Sequence, residues 1–305
     1  KTPHTEMILE LLLESDEWAY RNIAVLSRGH KRSSRGFQQV LRDGTADFCG
    51  DEPLQMFTRF PDVTFAVCEK RAEGIRRLVE EENPDVIILD DAFQHRAVHP
   101  SLNILLINWN RNILDDAVLP AGLLREPASG RKRADIMIVT KCPDGISRED
   151  MHQFVRRLKP SEHQEVFFTG MKYGSLLPLD GNGPRLEMES LSSTPVIFVT
   201  GIAFPQPATD MLSRFSADVT PLLFPDHHAY SAKDVAKMQR MLDATGNGII
   251  VTTSKDAAKI TGLEIVPAVR ERIYVLPVTM EFIEGSDRFG TIITDHIQDF
   301  KKNRK

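Results

Sequence analysis

The stretch Val86-Ile87-Ile88-Leu89-Asp90-Asp91-Ala92-Phe93-Gln94-His95 decides how the rest of the chain is read. Four apolar residues in a row, mostly β-branched, predict a buried strand that is central in a parallel sheet. Asn83-Pro84-Asp85 punctuates its start. Two aspartates stand at its carboxyl end, where open α/β sheets gather ligand chemistry. In nucleotide enzymes an acid at that position holds Mg²⁺, directly or through water, which is the Walker B pattern. Two solvated turn aspartates would account for the stretch equally well, so its context has to decide.

That context begins at the first residue. Lys1-Thr2-Pro3-His4-Thr5-Glu6 runs directly into Met7, Ile8, Leu11 and Leu12 at helical spacing. A P-loop, G-x-x-x-x-G-K-[ST], also ends on Lys-Thr or Lys-Ser and enters a helix. Lys1 and Thr2 are therefore expected to be its last two residues, with the glycines lost upstream. The Lys-Thr pair is uninformative alone and gains weight from the helix and the acidic strand. A chain that opens on Lys rather than Met is expected to be a fragment.

Composition bounds the possibilities. The 305 residues suffice for two domains, and 41% hydrophobic with 27% charged residues is ordinary for a globular protein. A net charge of -5 gives no reason to expect nucleic acid. The basic runs at 30–35 and 125–133 read as solvated faces, with phosphate or lipid headgroups as the functional alternative. Cys49, Cys68 and Cys142 lack zinc spacing and suggest a reducing compartment without disulfides. No apolar run is long enough to span a bilayer, and no signal peptide is visible.

Strand and helix patterns alternate along the first half: strands at 22–27, 63–67, 86–89, 102–108 and 136–141, with helices at 54–60 and 70–81 between them. This predicts an α/β fold with a doubly wound parallel sheet. Expected boundaries are a kinase-type P-loop domain at 1–165, a hinge and linker at 166–194, a second, smaller α/β domain at 195–285, and a C-terminal helix and tail at 286–305. The strand at 278–282 is expected to pair back with 166–179 as a β hinge. Thr140-Lys141-Cys142-Pro143-Asp144 approaches a guanine-reading loop, but its Asp falls one position late.

Other stretches carry chemistry less specifically. Gly50-Asp51-Glu52-Pro53 opens a short helix, where Asp51 also reads as an N-cap. Arg125 lies in the irregular loop 119–127 and reads, unaided, as a surface residue. Phe224-Pro225-Asp226-His227-His228 precedes a helix, and a loop histidine there is free for acid–base work near neutral pH. Thr253-Ser254-Lys255-Asp256 reads as a capped helix start whose Lys255 meets either phosphate or solvent.

Taken together, Lys1-Thr2-Pro3, Ser27-Arg28-Gly29, Gly50-Asp51-Glu52-Pro53, Asp90-Asp91-Ala92-Phe93-Gln94-His95, the 119–127 loop and Asp226-His227-His228 occur in the order of one family. The chain resembles the tetraacyldisaccharide 4′-kinases of Gram-negative lipid A biosynthesis over nearly its whole length. DDxFQH and LPAGxLREP together are the specific signal. The resemblance implies transfer of the ATP γ-phosphate to the 4′-hydroxyl of tetraacyldisaccharide 1-phosphate, giving lipid IVA. It implies ATP and Mg²⁺ as cofactors and a peripheral location at the cytoplasmic face of the inner membrane, contacted mainly through a segment upstream of Lys1.

Residue by residue, the resemblance implies that Lys1 neutralises the β/γ-phosphates and Thr2 touches Mg²⁺. Asp51 is implied as the general base, with His227 its partner, preferred to His228 because it directly follows Asp226. Glu52, Asp90 and Asp91 are implied in the acidic cluster around the metal, and Arg28 and Arg125 in holding substrate. Ala92, Leu123 and Ser254 stand where the family often has Gly, Pro and Glu, substitutions the fold should tolerate. Without the glycine cradle the chain as written is expected to bind ATP poorly. The alternatives are another P-loop small-molecule kinase, a GTPase-like NTPase, or a non-enzymatic binding module.

Overall fold

The computed structural model describes residues 1–14, 22–181, 183–226 and 228–302. In chain order the elements are α1 (Thr2–Glu14), β1 (Ile23–Ser27), β2 (Gln38–Gln39), α2 (Ala46–Cys49), α3 (Asp51–Arg59), β3 (Thr64–Val67), α4 (Arg71–Glu81), β4 (Val86–Leu89), β5 (Ile104–Asn108), β6 (Ile136–Cys142), α5 (Arg148–Leu158) and β7 (Glu165–Tyr173). There follow β8 (Leu177–Pro178), β9 (Val196–Thr200), α6 (Gln206–Phe215), β10 (Val219–Leu223), α7 (Ala232–Thr245), β11 (Ile249–Thr253), α8 (Ser254–Ile260), α9 (Pro267–Arg270), β12 (Ile273–Leu276), β13 (Val278–Phe282) and α10 (Ser286–Lys302). The chain divides into two compact units, Lys1–Lys172 with Thr279–Lys305, and Tyr173–Val278. The architecture is α/β, as the alternating pattern predicts.

The first unit holds two four-stranded sheets, ordered β2-β3-β1-β4 and β13-β7-β6-β5. Every residue of β1 is buried, and Val25 lies between Phe65 of β3 and Ile88 of β4 in parallel register. The acidic strand β4 pairs in parallel with β1 as expected, but it is a terminal strand rather than a central one, and its four residues are only half-buried. The unbroken Val-Ile-Ile-Leu run reports apolar surroundings on both faces and carries no information about pairing on both edges. β4 and β5, the terminal strands of the two sheets, both line a cavity of about 940 Å³. Ile8 and Leu12 of α1 and Ile293 and Ile297 of α10 complete its apolar wall.

Helix α1 is held to this unit by its apolar face and by unusual polar anchors. Leu9 and Leu12 are fully buried in one core with Val25, Phe65, Ile138 and Phe289. Glu6 is also buried; it accepts from Gln55 Nε2 at 3.1 Å and pairs with Arg59 at 2.6 Å. Arg59 pairs with Glu10 as well. The contacts 6–55 and 10–59 keep one offset, so α1 and α3 run side by side with their N-termini at the same end.

In the second unit the order is β10-β9-β11-β12-β8, all parallel except β8, which runs antiparallel to β12. From β9 the chain goes to one side for β10 and then to the other for β11. The order therefore reverses between β9 and β11, with Thr200 and Thr253 at the two carboxyl ends. Such a reversal is where open α/β sheets usually take a ligand. The three cysteines Cys49, Cys68 and Cys142 are buried and free, in keeping with their spacing.

His4 is only 4% exposed, and its Nε2 lies 3.0 Å from Thr169 Oγ1. Burial drives its pKa down from 6.5 to about 3. Between those values the unfolded chain binds a proton that the folded chain refuses. The stabilisation from neutral His4 is therefore complete above pH 6.5 and is lost as pH falls towards 3. Thermal melts of wild type and His4→Gln should show the wild-type Tm falling more steeply with acid; parallel curves would contradict this account.

Candidate functional site

Asp90 and Asp91 follow directly on β4. Asp90 is 8% exposed, and its amide continues the ladder by donating to Leu26 O at 3.0 Å. Its carboxylate accepts from Thr5 Oγ1 of α1 at 3.0 Å. Burial pushes the Asp90 carboxyl above the usual carboxylate range, against the opposing pull of the Thr5 hydroxyl and the Lys1 charge. Asp91 takes a left-handed backbone, φ 46°, and Lys1 Nζ stands 2.6 Å from its Oδ2. The predicted phosphate lysine and the predicted acidic strand end are thus neighbours.

Beneath them lies Arg71, the first residue of α4 and only 2% exposed. Its guanidinium donates to Cys68 O at 2.6 Å and to Asp90 O at 3.2 Å. Burial draws its pKa down, Asp90 opposes that shift, and the nearby charge of Arg28 adds to it. Arg28 follows β1, which places it at the carboxyl end of the same sheet.

Asp51 and Glu52 occupy the first turn of α3, where their charges complement the helix dipole. The cap itself is Gly50, not Asp51, with φ 100°. That geometry suits glycine, and a Cβ there would lie 3.3 Å from Gly29 Cα. This close approach sets the Arg28-Gly29 turn against the start of α3. The shared offset of α1 and α3 brings Thr2 and Asp51 to the same end.

The loop bearing Arg125 is rigidly braced. Asp116 Oδ1 accepts from the amides of Ala117 at 2.8 Å and Leu123 at 3.1 Å, and Asp116 Oδ2 pairs with Arg111 at 2.5 Å. The Leu123 amide and then Arg111 hold the Asp116 carboxyl below its usual range. Arg133 pairs with Glu126 at 2.8 Å, donates to Phe93 O at 3.2 Å and lies over the Phe93 ring at 4.8 Å. It ties this loop to the turn after Asp91. Arg125 lines the 940 Å³ cavity together with Lys1, Thr5, Asp90 and Asp91.

In the second unit, His227 lies outside the described residues. His228 is committed elsewhere: its ring stacks on Phe224 at 4.4 Å, meets Tyr230 edge-on at 5.1 Å, and its Nε2 is 3.2 Å from Asp234 Oδ2. Lys255 pairs with Asp226 at 3.3 Å, and Thr253 caps α8 by accepting from the Asp256 amide.

The structure therefore gathers Lys1, Asp90, Asp91 and Arg125 on one cavity and sets Arg28, Asp51 and Glu52 on adjoining turns of the same unit. Thr5, Arg71 and Arg133 were not singled out by the sequence. A helical Thr and ordinary-looking arginines gave no local signal, and only long-range contact reveals them. Among the described residues, no group of three or more His, Cys, Asp or Glu is placed to hold a metal by itself. Nor is any helix long and apolar enough to cross a membrane.

An α/β unit of mixed, mainly parallel sheets with a desolvated acid at a strand end, a lysine against its neighbour and an acidic helix start beside them is the frame of a P-loop-type phosphotransferase. A family model described as tetraacyldisaccharide-1-P 4′-kinase, LpxK, matches residues 1–298, and the chain belongs to that family. A tetraacyldisaccharide 4′-kinase of Parabacteroides distasonis is 42% identical, over 99% of this chain and 83% of the relative. That of Bacteroides thetaiotaomicron is 38% identical over 99% of this chain and 82% of its own length. A crystal structure of LpxK from Aquifex aeolicus in complex with ATP superposes with a TM-score of 0.72 at 26% identity, covering 97% of this chain and 84% of that one.

Arg71→Met would leave the Cys68 and Asp90 carbonyls without their buried donor. The expected cost is about 3 kcal/mol, read as a lower urea midpoint, with Arg71→Lys recovering only part of it. An unchanged midpoint would remove Arg71 from the support of the strand end.

Proposed function

We propose that the protein transfers the γ-phosphate of ATP to the 4′-hydroxyl of tetraacyldisaccharide 1-phosphate, yielding lipid IVA. The observation that carries this reading is the pairing of Lys1 with Asp91 beside the buried Asp90 in a chain of this family. Phosphoryl transfer needs alignment and charge neutralisation more than covalent chemistry. Lys1 neutralises the β- and γ-phosphates. Arg125, on the same cavity, and Arg28, beside the start of α3, hold the substrate's phosphate or the transferring group.

Asp51 takes the proton of the sugar hydroxyl, and His227 tunes it. Its neighbour His228 is already occupied by Phe224, Tyr230 and Asp234, which favours His227 for this role.

The residue types present fit Mg²⁺. Asp90, Asp91, Glu52 and Thr2 offer only hard oxygen donors, and the buried Asp90 carboxylate lacks the hydration a cation would replace. Mg²⁺ usually takes one or two carboxylates and completes its shell with water and substrate phosphates, so a full protein cage is not required. Bound there with ATP, it would neutralise charge on the β- and γ-phosphates.

The acyl chains of such a substrate would bring the protein to a membrane surface, and this reading takes it to be peripheral at the cytoplasmic face of the inner membrane. Leu119 and Leu123, 56% and 64% exposed beside Arg125, suit contact with that surface.

The test is incubation of the purified protein with [γ-³²P]ATP, Mg²⁺ and the lipid in detergent, with label counted in the lipid fraction. Asp51→Asn and His227→Ala should each lower kcat by about 100-fold or more while leaving the KM for ATP within about two-fold. No lipid label from folded wild-type protein that binds ATP would overturn the acceptor. Full activity in Asp51→Asn would remove Asp51 as the base.

A further inference from the structure

The strand-order reversal of the second unit, between β9 and β11, is filled by the protein's own carboxylate. Asp256 is fully buried. It accepts from Thr200 Oγ1 at 2.7 Å, from Thr253 Oγ1 at 2.7 Å, and from the Gly201 amide at 3.1 and 3.2 Å. Hydroxyls and an amide at the carboxyl ends of two adjacent parallel strands converge on an anion there, as they would on a ligand. That anion is a side chain, so the crevice serves to hold chain rather than substrate.

What it holds is the loop carrying Asp226, His227 and His228. Gly201 packs directly on it: a Cβ at Gly201 would come 3.0 Å from Pro225 O, 3.2 Å from His228 Cβ and 3.4 Å from Asp256 Oδ1. The Phe224 amide donates to Thr200 O at 2.9 Å. Helix α8, which starts at Ser254 beside the carboxylate, grips the other side. Lys255 Nζ reaches Asp226 Oδ1 and Lys259 Nζ reaches His228 O, each at 3.3 Å. The buried Tyr230 closes the loop, its phenol pushed up by burial and by the Asp256 charge.

We propose that Asp256 is a positioning residue for the Pro225–His228 loop. It pins Thr200-Gly201 to the start of α8, and the loop is clamped between the two. Asp256 touches no substrate; it acts through the loop's place. The proposal rests on the kinase reading only where activity is measured.

Amide hydrogen exchange tests the clamp without activity. Asp256→Asn should speed exchange of the Phe224 and His228 amides about ten-fold, with the β9 and β11 amides still protected. Gly201→Ala, which pushes on the loop and spares the carboxylate, should do the same and carries the test if Asp256→Asn does not fold. In the lipid phosphorylation assay each variant should lower kcat about ten-fold at unchanged KM for ATP. Placed in a His227→Ala background, each should add less than about two-fold, because the side chain through which the loop's position acts is then gone.

Unchanged loop exchange in both variants would overturn the clamp, as would loosening shared by the whole unit. Equal losses of kcat with and without His227 would overturn its route through that histidine. A wild-type protein that phosphorylates no lipid would refute the kinase reading, while the exchange data would still decide the clamp.

Discussion

Taking the Asp90 carboxylate out of water carries a cost on the order of several kcal/mol if it ionises alone. The surrounding structure answers that cost only in part, and much of the first unit is arranged around the remainder. Thr5 supplies a hydroxyl from α1, and Arg71 grips the carbonyl of the same residue from below. Lys1 reaches the neighbouring Asp91. Burial still dominates, so the carboxyl stays above its usual range. A strand end so placed favours a bound positive charge over water.

Holding α1 in place is therefore part of the site. Its apolar stripe is ordinary core, but the Glu6 pairing with Arg59 and Gln55 of α3 locks the two helices in register. Their starts carry Lys1-Thr2 and Asp51-Glu52. Small side chains govern the last approach: Gly50 against Gly29 lets the turn after β1 sit on the acidic helix start. Packing a few residues away from the chemistry fixes where the charges stand.

The fold class was legible in the sequence because β-branched runs and helical spacing alternate plainly through both units. The place of β4 at a sheet end was not, since four apolar residues in a row look the same whether one edge is paired or two. Asp51 illustrates a smaller limit. Asp is a good N-cap, but the positive φ required at that position went to Gly50, and Asp51 became the first helical residue. The motif residues Asp90, Asp91, Lys1 and Arg125 could be named from pattern and resemblance. Arg71 and Arg133 could not, because the contacts that tie them to the acidic strand end, to Asp90 O and Phe93 O, span 19 and 40 residues, and nothing local marks a guanidinium that hooks a carbonyl.

Asp90 and Asp256 make an instructive pair. Each lies just beyond the end of a parallel β-strand, and each is buried. Asp256 is surrounded by donors: two threonine hydroxyls and a backbone amide converge on it, and its own amide donates to the Thr253 hydroxyl that caps α8. A carboxylate so surrounded by donors from its own chain is suited to hold architecture. Asp90 has a threonine at 3.0 Å and an unfavourable burial that outweighs it. Burial alone does not separate a functional acid from a structural one; the balance between desolvation and the donors supplied to offset it does. By that measure burial of the acid of the first unit is offset only in part, and that of the second is met by donors from its own chain.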